Sequence, residues 1–294
     1  MTATDRSPAA TISPAPAGIG SPATLLLGAA ALLSLAITVI AGLGLPATEE
    51  QGPYARLIAV HPPVAWAAYL AFGVTAVASA AYLWRRTRSR TWDRVAAASA
   101  EIGIVFCALA LATGSIWGRP TWGVWWTWDA RLTTTALLLA LFLGYLALRR
   151  VAGDVDTRAR RSAIAALIAA ADIPIVHFSV DWWRTLHQGR SLAQLTPQSD
   201  LDGSYITVML VGLVAMTLTY GWLLVHRYRV EVLEERLEVE GLDLALEQRR
   251  AEAGSGESHL HRSAATGRDE PGETATGSSP ADGVGHPLGV RSPS

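Results

Sequence analysis

The run ATLLLGAAALLSLAITVIAGLG, residues 23–44, contains no charged side chain. Coiled as an α-helix it extends about 33 Å, enough to cross the hydrocarbon core of a bilayer. Five further apolar runs follow, near 58–83, 95–117, 132–148, 163–180 and 205–225, and each reads as a membrane span. The whole chain of 294 residues is 50% hydrophobic and 17% charged. Ordinary soluble domains carry about 25% charged residues, so a soluble enzyme is excluded as a starting point. The first run is longer than the apolar core of a signal peptide and no small-x-small site follows it, which predicts an uncleaved first span. The expected fold is an all-α integral membrane protein, a bundle of six transmembrane helices.

Charge orders the connections. All 24 basic residues are arginine, and the net charge is −1. Arg85, Arg86, Arg88, Arg90 and Arg94 lie between spans two and three; Arg149, Arg150, Arg158, Arg160 and Arg161 lie between spans four and five. The connections 45–57, 118–131 and 181–204 hold one, two and two arginines. By the positive-inside rule the two arginine-rich loops and both termini are cytoplasmic, and the other three loops face outward. Residues 1–22, rich in Pro, Ala, Ser and Thr, predict a disordered cytoplasmic start, and residues 23–226 form the six-span domain. Residues 227–252, dense in Glu, Arg and Leu, read as a short charged cytoplasmic helix, and 253–294 as a disordered tail. The single cysteine, Cys107, rules out an intrachain disulfide and CxxC chemistry.

The second outward loop carries the most specific signal. Of eleven tryptophans, five fall within residues 117–128: Trp117, Trp122, Trp125, Trp126 and Trp128. Pro120 suits the first turn of a helix. A helix starting there aligns Trp122, Trp125, Trp126 and Asp129 at i, i+3, i+4 and i+7, an aromatic stripe ending in a carboxylate. Such an external interfacial helix would offer a flat aromatic wall. The plainer alternative is an aromatic belt at the membrane surface, the reading that suits Trp84, Trp92 and Trp222.

Two histidines lie on the same side. His61, in His-Pro-Pro-Val-Ala-Trp66, sits where an outward loop enters span two; His187 sits in the outward loop after span five. His177 lies about one turn inside the outer end of span five. Imidazoles from two separate elements are what a six-coordinate haem iron requires, with arginines such as Arg119, Arg131 or Arg184 near the propionates. Arg131 is favoured, because it follows the stripe directly. Asp129 would orient Arg131 or contact a partner.

These residues resemble a known family. The stretch from Trp117 to Thr133 resembles the tryptophan-rich WWD segment of haem-handling proteins in cytochrome c biogenesis. His61–Trp66, together with Ser-Val-Asp-Trp-Trp-Arg-Thr-Leu-His-Gln-Gly at 179–189, resembles one branch, the heme exporter protein C family. The resemblance covers about 23–226 and implies that His61 and His187 are axial ligands to a non-covalent haem b. It implies a scaffold without catalytic residues, seated in the cell inner membrane, that presents haem to a periplasmic chaperone. It also implies partnership with the ATPase and permease subunits of an ABC transporter and with a small single-span subunit; nucleic acid is not expected. His177 falls outside the family's ligand pattern. Two other classes stay open. One is a proton-coupled transporter using Glu101 in span three and Asp172 in span five, which Pro174 would break. The other is a lyase that attaches haem directly to apocytochrome c.

Overall fold

The computed structural model describes residues 21–187 and 203–266, all of their regular structure helical. In chain order the helices are α1 (Pro22–Gly44), a 3-10 turn (Pro53–Ala59), α2 (His61–Leu83), α3 (Arg90–Trp122), α4 (Ala130–Arg150), α5 (Val155–Ala170), α6 (Asp172–Trp182) and α7 (Gly203–Thr266). Six helical stretches are long and apolar enough to cross a membrane: Pro22–Gly44, Pro53–Leu83, Arg90–Trp122, Ala130–Arg150, Val155–Trp182 and Gly203–Arg250. Each contains one of the six expected runs. The chain divides into two units, residues 1–237 and 238–294, and the helical bundle is the first. Of the two expected disordered segments, residues 1–20 and 267–294 lie outside the described residues, while 253–266 continue α7.

The burial pattern of α1 is that of a helix in lipid. Ser21 caps it through Thr24 N–H, and Pro22 occupies its first turn. Its buried face is small: Thr24, Gly28, Ala31, Thr38 and Gly42. Its large residues, among them Leu25, Leu26, Leu32, Leu33, Ile40 and Leu43, point outward. Water would reverse that order; in a bilayer the outer face is already solvated and small residues permit close approach. At Gly28 the approach is so close that a Cβ would lie 2.8 Å from the Trp222 indole nitrogen. In the core, Phe72 of α2 stacks on Phe142 of α4 with centroids 3.8 Å apart, over Gly103 of α3, where a Cβ would clash with the Phe72 ring. Among the buried polar groups, the Ser99 hydroxyl lies 2.7 Å from the Ala71 carbonyl and 2.7 Å from the Tyr220 hydroxyl.

Two features depart from the simple reading. Span five is not one helix. It breaks at Ala171, whose N–H reaches the Leu167 and Ile168 carbonyls at 3.2 Å each; three residues on, Pro174 has no N–H to offer the preceding turn. The break leaves Asp172 buried, 4% exposed, with Oδ2 unpartnered.

The second departure lies in the tryptophan-rich segment. No helix begins at Pro120, and the external tryptophan-rich helix is absent: residues 123–129 are irregular. Pro120 instead lies within the last turn of α3. Gly123 ends that helix in the left-handed region at φ 81°, its N–H returned to the Arg119 carbonyl at 3.0 Å. A glycine cap overrides the 3.6-residue spacing of the indoles. Trp122 therefore belongs to α3, Trp125, Trp126 and Trp128 to a loop, and Asp129 to the cap of α4, so Trp122, Trp125, Trp126 and Asp129 cannot form one stripe.

Candidate functional site

A cavity of about 1010 Å³ opens at the end of the bundle where α2 begins and α3 ends. Four of the eleven candidate residues line it: His61, Trp122, Arg131 and His187. His177 lines it too, together with Trp66, Tyr69 and the apolar side chains of Leu111, Leu138, Val176 and Leu213.

His187 is placed by Asp129. This aspartate is the residue before α4, and its Oδ1 accepts the Arg131 N–H at 3.0 Å as an N-cap. The same carboxylate gathers the loop after α6. Its Oδ2 accepts from the Thr185 hydroxyl and, at 2.8 Å, from the Leu186 N–H; Oδ1 lies 3.1 Å from His187 Nδ1. The His187 N–H donates to Thr185 Oγ1 at 3.1 Å and closes the turn. Burial works against charge on Asp129, but the Thr185 and Leu186 donors, then His187 and the Arg131 N–H, together hold its carboxyl below the usual range. Burial holds the His187 imidazole below its ordinary value, only partly offset by Asp129. A charged carboxylate accepts only, so the neutral ring donates from Nδ1 and Nε2 keeps its lone pair. A carboxylate behind an imidazole is the common support of a metal-binding histidine. The Trp122 indole meets the His187 ring edge-on, centroids 4.8 Å apart.

His61 is the first residue of α2. Its Nδ1 lies 3.1 Å from the Thr113 hydroxyl, and the Trp117 ring stands edge-on to it at 5.8 Å. Trp117 is itself held by its indole N–H, which donates to Gln51 Oε1 at 3.0 Å. Gly114 gives the imidazole room; a Cβ there would lie 3.0 Å from His61 Cε1. The cavity is thus lined by two imidazoles from distant parts of the chain.

The other seven candidates do not line the cavity. Trp125 and Trp128 are exposed, 59% and 83%, and Trp126 packs edge-on to Trp128 at 5.8 Å. Arg119 donates to the Gly123 carbonyl, and Arg184 is exposed. Arg131 reaches the His177 carbonyl at 3.3 Å and keeps a buried Nε without a partner. Asp129 is buried and does not hydrogen-bond the Arg131 guanidinium; it caps α4 and holds His187. The capping role has a sequence signal, an aspartate directly before a helical run. Thr113 and Tyr69 have none, since each is a single polar group in an apolar run.

The family model for heme exporter protein C matches residues 17–242. The chain belongs to that family. It is 40% identical over 204 residues to heme exporter protein C of Bradyrhizobium diazoefficiens, covering 69% of this chain and 76% of that protein. It is 38% identical over 203 residues to the Haemophilus influenzae protein of the same name, covering 68% and 81%. It is 42% identical over 162 residues to the Escherichia coli K12 protein, covering 54% and 65%. Every residue of the cavity lies inside the family match, and residues 243–294 lie beyond it.

Proposed function

We propose that this multi-pass membrane protein holds haem in the cavity between His61 and His187 and hands it on during cytochrome c maturation. The observation that carries the reading is the pair of imidazoles from α2 and the loop after α6 on one cavity, with His187 Nε2 left bare by Asp129. The chemistry of the site fits a porphyrin: two nitrogen donors for iron, apolar walls, an indole edge at Trp122, and a guanidinium at Arg131 suited to a propionate. Haem supplies the iron. The chain's residues bind it, orient it and exclude water, without catalytic chemistry of their own. The haem is haem b, held non-covalently.

The arginine-rich end of the bundle faces the cytoplasm with both termini, and the cavity end faces outward from the inner membrane. There a periplasmic haem chaperone receives the cargo. The exposed Trp125 and Trp128 are available to that partner, and the lipid-facing helices to the ABC transporter permease with its ATPase and to a small single-span subunit. Proton-coupled transport is disfavoured because one of its two carboxylates is engaged: Glu101 pairs with Arg227. Direct attachment of haem to apocytochrome c is the weaker reading, since the family matched is that of the exporter.

Purified protein should show a Soret band, and replacing both His61 and His187 with Ala should abolish it while the protein still inserts in the membrane. A double variant with normal haem content removes the proposal.

A further inference from the structure

The two histidines are supported by different chemistry. His187 has a buried carboxylate behind it; His61 has only neutral partners, the Thr113 hydroxyl and the nearby Ala110 carbonyl. The Thr113 hydroxyl donates its proton to the Leu109 carbonyl one turn back, at 2.8 Å, with the Ala110 carbonyl at 3.3 Å as its alternative. With the proton spent there, Thr113 Oγ1 meets the imidazole as an acceptor, and His61 Nδ1 must carry the ring hydrogen. That leaves Nε2 as the bare nitrogen. The ring has little freedom to turn, standing between the Thr113 hydroxyl, the bare face of Gly114 and the edge of Trp117.

A neutral hydroxyl draws on the Nδ1 proton less strongly than a carboxylate does, so it raises the basicity of the other nitrogen less. Position acts in the same direction. His61 opens α2, at the positive end of a helix, whereas His187 lies in an irregular loop with the charged Asp129 against its ring.

We infer that Thr113 is a positioning residue that locks His61 with Nε2 toward the cavity, and that the clamp is asymmetric: His61 is the weaker ligand and the first to yield when the cargo leaves. The inference rests on the two-histidine reading above. It explains how one site can bind tightly and still release. The bond to His187 retains the cargo while the bond to His61 opens.

The test uses the full chain in detergent, reconstituted with hemin. Hemin transfer to excess apomyoglobin is timed for His187→Gly, which keeps only His61, and for His61→Gly, which keeps only His187. The first should lose hemin about tenfold faster; equal or reversed rates overturn the asymmetry. Thr113→Val removes the acceptor at nearly constant shape. It should lower the low-spin ferric signal in electron paramagnetic resonance, introduce a high-spin one and shift the reduction potential, and Thr113→Ser should restore the parent spectrum. An unchanged spectrum and potential in Thr113→Val overturn the positioning role, as does failure of serine to restore them. Thr113→Ala, judged by the same spectra, decides the matter where the valine variant does not fold. If neither single-histidine variant alters the spectrum of bound hemin, the ligand reading itself fails; if both alter it and their release rates match, only the asymmetry fails.

Discussion

At one end of the bundle Asp93 takes both forks of Arg149, at 2.7 and 3.2 Å, with each side chain 13% exposed. Beside it Arg90 and Arg94 converge on Glu235, and Arg227 bridges Glu101 and Glu231. At the other end Asp129 is more deeply buried, yet it takes no guanidinium: its donors are a hydroxyl, two backbone N–H groups and the imidazole of His187. Two aspartates in similar surroundings therefore do different work. Asp93 spends its charge on a cation and locks α3 to α4. Asp129 keeps its charge, orders a loop with neutral donors, and turns one nitrogen of a ring into the cavity. The arginine-rich end is thus tied together by its own ion pairs, while the cavity end leaves a ring nitrogen unused within the protein.

Separable variants test that division. Arg149→Ala leaves Asp93 buried and unpaired, which costs about 3–5 kcal/mol. Thermal unfolding in detergent should show the largest loss of the series, while hemin bound by the surviving folded fraction keeps the parent spectrum. Asp129→Asn retains the shape but withdraws the charge behind His187; hemin affinity should fall about 10–100-fold by titration, with a smaller change in melting. If Asp129→Asn melted the protein and left affinity intact, the contrast between the two aspartates would be wrong.

Gly114→Ala places a methyl 3.0 Å from His61 Cε1. His61 must then shift by a few tenths of an ångström, and hemin affinity should drop several-fold, on the order of 1 kcal/mol, with the inner ion pairs unaffected. Trp128→Ala, at a side chain 83% exposed, should change neither melting nor affinity beyond about 0.5 kcal/mol. Any loss of haem transfer to the chaperone in that variant, seen with normal binding, assigns the outer indoles to partner contact rather than to the cavity.

The six spans were readable from the amino-acid order because lipid sets a length, and a run such as residues 23–44 either meets it or does not. The tryptophan segment shows where that reading stops. Its i, i+3, i+4, i+7 pattern fits one face of a helix, but Gly123 adopts φ 81° and ends α3 before the pattern can form. Spacing reports which residues would share a face if a helix existed; it does not report whether one glycine has already ended it. The histidines show the same boundary. His61 and His187 stand out by type and by loop, but nothing along the chain says that they share a cavity with Trp122 and Arg131 while Trp125 and Arg184 are exposed outside it.

The order of residues alone determined six runs long enough to span a membrane, the distribution of arginine between the loops, and which loops carry an imidazole. Those follow from local quantities, run length, charge and residue chemistry, which need no partner to be defined. Tertiary structure alone decided that Asp129 holds His187, that Thr113 meets His61, and that span five breaks over a buried Asp172. Each of these joins groups distant in sequence or balances a local preference against packing, and only the folded chain brings both sides of that balance together.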